Sequence, residues 1–272
     1  MDIREKYERL KSIIKSYGSL AVAFSGGVDS TLLLKAAHDV LGDKAIAVTA
    51  RSRVVCQREL DEAAEFCKKE SIRHITFDFD DECREIFAKN PPDRCYLCKN
   101  EILKKIKKAM EPYGIEHIAE GSHADDDKAY RPGFQAVKEH GAKSPLKEAG
   151  FAKAEIRELS KMLGLSTWDK QPFACLASRF AYGEPITREK AEMAERAEQL
   201  LLDFGFSQIR VRMHGMIARI EIAPEEFAKI IDPGISRGIC AKLKQYGFTY
   251  ATLDLNGYRS GSMDEILNLA EN

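Results

Sequence analysis

Nowhere in its 272 residues does the chain carry an apolar run approaching the roughly 18 residues that span a bilayer. No membrane-spanning helix is therefore expected. The opening MDIREKYERL lacks the basic-then-apolar order of a secretion signal, so a cytoplasmic protein without a membrane partner is expected. Excess charge of one sign is missing too. Lysine and arginine total 42 against 43 acidic residues, a formal net charge of −1, and no global attraction to nucleic acid follows. The seven cysteines are odd in number and scattered, which disfavours a disulfide framework and leaves reactive thiols or metal ligands. Repeats and low-complexity tracts are absent as well. What is present is 44% hydrophobic residues, enough for one large domain or two modest ones.

Residues 1–165 alternate short β-branched runs, at 20–24, 45–49, 72–77 and 117–120, with helical patterns such as 29–41 and 53–70. That alternation predicts an α/β domain with a doubly wound parallel sheet. In residues 166–187, Trp168, Pro172, Cys175, Gly183 and Pro185 interrupt any period, and a connecting active-site loop is expected there. Residues 188–272 predict a second, smaller α+β domain. It would comprise an amphipathic helix at 188–204, a hairpin of runs 208–213 and 216–222 about His214 and Gly215, helices from Pro224 and at 235–246, and a last strand at 249–255.

The first run leads directly into Ser25-Gly26-Gly27-Val28-Asp29-Ser30 and then a helix. Adjacent glycines allow a sharp turn that points amide groups and the helix N-terminus into one concavity suited to an anion, with Ser25 and Ser30 adding hydroxyls. Asp29 is out of place beside phosphate unless it holds magnesium or polarises a group there. The bland alternative is a strand-to-helix turn with Asp29 as cap. A Walker loop is excluded, because no lysine follows the glycines.

SGGVDS after the first strand resembles the pyrophosphate loop of the PP-loop ATPases, which include GMP synthetase, NAD synthetase and tRNA-thiolating enzymes. The resemblance implies ATP cleavage between the α and β phosphates, with AMP placed on a substrate oxygen. It also implies that Ala50, Arg51 and Ser52, at the end of the second run, cradle adenine. Gly121, Ser122, Arg131 and Lys143 follow as candidate nucleotide contacts, since the carboxyl edges of parallel strands face the ligand crevice. Each alone reads equally well as a structural turn or a solvated surface residue. Asp125-Asp126-Asp127 reads as a solvated loop rather than a metal site.

Cys95 and Cys98 form a CxxC, which brings two thiols within reach of one metal or of each other, and Cys175 is the natural third partner. Three cysteines suit an iron-sulfur cluster with one iron left open. A redox pair, a zinc site completed by His117 or His123, and plain buried small hydrophobes stay open beside it. Cys56, Cys67, Cys83 and Cys240 lie in helical patterns and read as packing residues. Cys175 stands near Ser178 and Arg179, which can lower a thiol's pKa or hold a substrate phosphate. Arg210 and Arg212 share one strand face and suit a mononucleotide phosphate. A solvated face with Glu221 as ion-pair partner is the alternative. KNEILKKIKK at 99–108 places Ile102, Leu103 and Ile106 on one side, favouring an amphipathic helix over nucleic-acid binding.

SGGVDS, ARS, EGSHADD, YRPG, KSPL, TWDKQPFACLASRFAYG and the pair Arg210/Arg212 together resemble the LarE sulfur transferases over nearly the whole chain. That resemblance implies adenylation of a carboxylate of pyridinium-3,5-biscarboxylic acid mononucleotide, then attack of sulfur to give a thiocarboxylate. It implies ATP and Mg2+ as cofactors and a homo-oligomer, with Asp29 and Cys175 in catalysis. Ser178, Arg179, Glu198, Arg210 and Arg212 would hold the substrate phosphate. One branch of that family sacrifices the sulfur of the cysteine matching Cys175. The other carries a [4Fe-4S] cluster on three cysteines, and Cys95, Cys98 and Cys175 match it. Rival readings are a tRNA-thiolating enzyme, which would need a basic surface, an amidating ligase resembling NAD synthetase, which leaves the three cysteines without a task, and a non-catalytic adenine-nucleotide-binding protein.

Overall fold

Four runs of the first half pair in parallel: β1 (Leu20–Ala23), β2 (Ala45–Arg51), β3 (Arg73–Asp78) and β4 (Ile118–Ala119), in the order β3-β2-β1-β4. The helices among and after them are α1 (Ile3–Tyr17), α2 (Val28–Leu41), α3 (Gln57–Lys69), α4 (Arg84–Lys89), α5 (Arg94–Met110), α6 (Gly133–Glu139), α7 (Pro145–Glu148) and α8 (Lys153–Met162). The computed structural model describes residues 1–128, 133–171, 174–265 and 267. Contacts divide the chain into two units, one of Met1–Ser52, Gln57–Cys83 and Asp93–Phe173, the other of Arg53–Cys56, Arg84–Pro92 and Ala174–Asn272.

Alternation of side chains across the sheet builds two cores from one set of strands. Leu20, Val22, Ala45 and Ala47 face one way, onto Leu10 and Ile14 of α1, Leu33 and Ala37 of α2, and Ile156 and Leu159 of α8. Ala21, Ile46, Val48 and Ile118 face the other way, onto Leu103, Ile106 and Met110 of α5 and Ala136 and Val137 of α6. Both faces of the sheet are covered, as near-continuously apolar parallel strands require. The architecture is thus α/β with a parallel sheet, as the alternating runs predict. Local signals start the helices. Asp2 caps α1 by accepting from the Glu5 amide at 2.8 Å while Glu5 accepts from the Asp2 amide at 2.9 Å.

In the second unit α9 (Arg188–Asp203), β5 (Ile209–His214), β6 (Ile217–Ile222), α10 (Phe227–Ile230), α11 (Pro233–Gln245) and β7 (Tyr250–Leu253) follow in order. β5 and β6 form an antiparallel hairpin, and β7 adds parallel to β6, giving a mixed sheet. Ile209, Val211, Met213, Ala218, Ile220 and Ile222 are buried, but so are Arg210 and Arg212 between them. The face that the sequence suggests is solvated or ligand-bearing is therefore enclosed.

Three expectations are revised. α5 starts at Arg94, so both CxxC cysteines lie within the start of the helix, Cys95 as its second residue and Cys98 as its fifth, and not ahead of it. Residues 166–187 are not wholly irregular, because Leu176–Arg179 makes a 3-10 turn and Phe180 bridges in parallel to Met213 of β5. Cys240, expected in packing, is exposed, whereas Cys56, Cys67 and Cys83 are buried. Among the described residues no helix is long and apolar enough to cross a membrane.

Leu33 is fully buried between α2 and the sheet. Leu33→Ala should destabilise the protein by about 3 kcal/mol, read as a lower midpoint of urea unfolding at constant slope.

Candidate active site

Strand β1 ends one residue before the loop of residues 24–27, and α2 begins at Val28. Gly26 sits at φ +69°, in the left-handed region that glycine enters at least cost. The Ser30 hydroxyl donates to the Gly27 carbonyl at 3.2 Å and lies 3.1 Å from the Ser25 hydroxyl, which closes the loop on itself. The first helical bond runs from the Thr31 amide to Gly27, and Gly27 makes no side-chain cap. The amides of the first turn are thereby available to an anion, at the positive end of the helix dipole.

Asp29 does not cap this helix. Both of its carboxylate oxygens accept from Lys153 at 2.7 and 2.6 Å. Lys153 opens α8, and its own amide donates to Asp125 at 2.7 Å. A half-exposed carboxylate paired with an ammonium beside a phosphate loop offers a hard oxygen to magnesium and a cation to phosphate. The sequence does not single out Lys153, whose only local signal is a lysine at a helix start.

The other nucleotide candidates separate into distinct roles. A Cβ on Gly121 would lie 3.1 Å from both Asp29 Cβ and the Ser30 amide nitrogen, so glycine there lets the end of β4 pack against the loop. Ser122 is buried and donates its hydroxyl to Glu120 at 2.7 Å. Ser144 donates to the same buried carboxylate at 2.7 Å, and the Lys99 ammonium stands 3.8 Å from it. Lys143 extends the sheet edge through its backbone, donating to Ile118 at 2.8 Å and accepting from Glu120 at 3.0 Å. Ala50 and Arg51 are the last residues of β2, followed by Ser52, and the exposed Arg51 pairs with Asp78 at 3.1 Å. Arg131 lies outside the described residues, as do Pro172 and Phe173 beside Cys175. The acidic run is not merely solvated. Asp126 is buried and accepts from the His123 amide at 2.9 Å, while Asp125 holds the start of α8.

Cys95 and Cys98 lie three residues apart on one side of α5, Cys95 exposed and Cys98 half-buried. Cys98 shares a hydrogen bond with the buried Cys83, and this contact, with burial, holds its pKa well above the usual thiol range. Cys83 therefore does more than fill space. Among the described residues no group of three Cys, His, Asp or Glu side chains is gathered as a metal site. His117, one of the zinc candidates, packs against Tyr17 with ring centroids 5.3 Å apart.

In the second unit Cys175 is exposed and leads into the 3-10 turn that ends at Arg179. Arg179 is fully buried and donates in parallel to both oxygens of Glu198 at 2.8 Å. It also donates to the Ala174 carbonyl at 2.7 Å and the Ser178 hydroxyl at 2.8 Å. Burial opposes the charge on Arg179, and Glu198 outweighs it, so its pKa rises. Glu198 additionally accepts from the Val211 amide at 2.9 Å. This pair ties the turn after Cys175 to α9 and β5, so Arg179 and Glu198 are committed to each other, unlike open phosphate ligands. Arg212 donates to Glu221 at 2.9 Å, the partner suggested by the alternative reading, and to the Ser178 carbonyl at 3.0 Å. Arg210 lies over the Tyr258 ring at 5.3 Å, and burial with nearby Arg179 lowers its pKa.

Two substitutions test this geometry. Gly121→Ala should cost about 2 kcal/mol and weaken ATP binding, because the added methyl pushes Asp29 and Ser30 away from the end of β4; calorimetric titration and thermal melting read both effects. Glu198→Ala leaves a guanidinium buried without its carboxylate and should destabilise by about 3–5 kcal/mol in urea unfolding.

No family model matches the chain. It is 38% identical over 265 residues to an uncharacterized protein of Synechocystis sp., covering 97% of this chain and 99% of that one. It is 36% identical to the pyridinium-3,5-bisthiocarboxylic acid mononucleotide synthase of Lactiplantibacillus plantarum, covering 98% and 96%. A more remote similarity, 27% identity over 87% of this chain and 77% of the other, links it to a glutamine-hydrolyzing GMP synthase component of Thermoplasma acidophilum. With the phosphate loop after β1 and full-length identity above 30%, the chain belongs to the LarE family of sulfur-transferring enzymes, of the PP-loop ATPase type.

Proposed function

We propose that this chain uses ATP to adenylate a carboxylate of pyridinium-3,5-biscarboxylic acid mononucleotide and then exchanges an oxygen for sulfur. The observation that carries the reading is the loop at residues 25–30, whose amides are available to an anion beside Asp29 and Lys153. Similarity to the pyridinium-3,5-bisthiocarboxylic acid mononucleotide synthase of Lactiplantibacillus plantarum supports this substrate class. A substrate carboxylate oxygen attacks the α-phosphorus; the new P–O bond forms as the α–β bridging bond breaks, and pyrophosphate departs against the loop amides and the α2 terminus. Sulfur then attacks the acyl carbon, the C–S bond forms, the C–O bond to AMP breaks, and a thiocarboxylate remains.

Asp29 is assigned to magnesium, and Lys153 to the charge on the phosphates. Ala50, Arg51 and Ser52 at the end of β2, with Arg131 and Lys143, are assigned to the nucleotide. Arg210, Arg212 and Ser178 are assigned to the substrate phosphate; Arg210 carries the support of an enclosed site where burial and neighbouring arginines favour an incoming anion. Arg179 and Glu198 set the position of the Cys175 turn. Cys95, Cys98 and Cys175 are assigned as thiolate ligands of a [4Fe-4S] cluster, which when bound supplies an iron-held sulfide. The placement of Cys95 and Cys98 on one turn of α5 supports two of these ligands. A homo-oligomeric, cytoplasmic enzyme completes the reading; the exposed Tyr250 and Leu255 suit self-association.

The test combines anaerobically purified protein with ATP, magnesium, the biscarboxylate mononucleotide and sulfide. Pyrophosphate release and a thiocarboxylate product are expected, with iron and acid-labile sulfide present in the wild type and lost in Cys95→Ala. Absence of pyrophosphate release sinks the adenylation reading. Iron-free protein that forms product while losing the mass of hydrogen sulfide at Cys175 replaces the cluster with sacrifice of that cysteine's sulfur.

A further inference from the structure

Behind the phosphate loop stands a charged group that neither the glycine-containing hexapeptide nor the proposed reaction uses. The Lys170 ammonium donates to the Gly26 carbonyl at 3.1 Å, pairs with Glu62 at 2.6 Å and lies 3.6 Å from Glu59. Its side chain is 16% exposed. The segment that delivers it is braced on α8. Arg157 donates to the Trp168 and Lys170 carbonyls at 2.8 Å each, and the Lys161 ammonium lies over the Trp168 ring at 4.5 Å. On the same side of the loop, α3 approaches so closely that a Cβ on Gly26 would lie 3.4 Å from Ala63 Cβ and from the Glu59 carbonyl.

Peptide geometry turns this contact into a constraint on the site. A peptide unit is planar, and this chain has no cis peptide among the described residues, so the Gly26 carbonyl and the Gly27 N–H point in opposite directions. A Gly-Gly step has little steric preference of its own and can rotate at low cost. With the carbonyl drawn back to Lys170, the Gly27 N–H is turned to the other side, where it donates only a long hydrogen bond, 3.4 Å, to the Ser25 hydroxyl, a bond that a phosphate oxygen can replace. Glu59 and Glu62 keep the ammonium behind the loop and offset its charge, so it acts on an anion in front through the peptide it holds.

We propose that Lys170 is a positioning residue for pyrophosphate, locking the Gly26–Gly27 peptide so that its N–H is offered to the departing anion. The proposal rests on the adenylation reading. It predicts a selective defect, because AMP does not occupy the pyrophosphate position.

The experiment is equilibrium titration of the intact protein with inorganic pyrophosphate and, separately, with AMP and ATP, for the wild type, Lys170→Met and Lys170→Arg. Lys170→Met should weaken pyrophosphate binding by about tenfold, the scale of one charge-assisted hydrogen bond, and leave AMP affinity within about twofold. Lys170→Arg, which keeps charge and donors, should restore pyrophosphate affinity to within about threefold of the wild type. Unchanged pyrophosphate affinity in Lys170→Met overturns the proposal, and so does an equal fall for AMP and pyrophosphate, which would make the residue a brace for the fold alone. If Lys170→Met does not fold, Lys170→Gln is read by the same two criteria. A wild type that binds neither pyrophosphate nor ATP overturns the adenylation reading together with this one; a wild type that binds both, with an unaffected variant, overturns this one alone.

Discussion

A loop that binds phosphate through its own amides must leave those amides unbonded within the chain, so it cannot hold its shape by the hydrogen bonds that stabilise a helix or a strand. The surroundings of residues 25–30 answer that constraint. The seryl hydroxyls of Ser25 and Ser30 fasten the loop internally without using the first-turn amides. Gly121 lets the end of β4 press against its front edge, and Ala63 of α3 supports its back. Lys153 and Lys170 arrive from α8 and the segment after it to hold Asp29 and the Gly26 carbonyl. The parallel sheet matters functionally because it brings these supports to one edge.

The second unit meets a different constraint, that of enclosed charge. Arg179, Arg210, Arg212, Glu198 and Glu221 are all nearly inaccessible to solvent. Their desolvation is offset by geometry: a parallel two-bond contact between Arg179 and Glu198, and a Glu221 carboxylate that receives Arg212, Arg219 and Ser262. Such a network holds a backbone in one arrangement more than it adds net stability. The backbone it holds is the turn that follows Cys175, through the carbonyls of Ala174 and Ser178. The exposed Cys175 is thereby followed by a turn whose backbone is fixed by the buried pair.

The bounds of legibility follow from the range of the interactions. The β-branched runs, the glycine pair and the amphipathic face of α5 are local patterns, and each folds as its local period and propensities dictate. The roles that shift depend on distant partners. Gly121 reads as a ligand contact because its strand-end position is visible in the sequence and the backbone it packs on is not. Arg179 and Glu198 are only 19 residues apart, yet nothing in the intervening sequence marks their pairing. Cys83 reads as packing because its partner Cys98 lies on another element.

By itself the sequence determined the phosphate-binding hexapeptide, the parallel α/β class and the family, since these rest on contiguous residues and short periods. Tertiary structure alone decided that Lys153, 124 residues beyond Asp29, and Lys170, 144 residues beyond Gly26, stand at the loop. It likewise decided that the arginine face of β5 is enclosed. The physical reason is that an ion pair or a close backbone approach specifies a distance in space, and a linear pattern carries no measure of that distance until the sheet has formed.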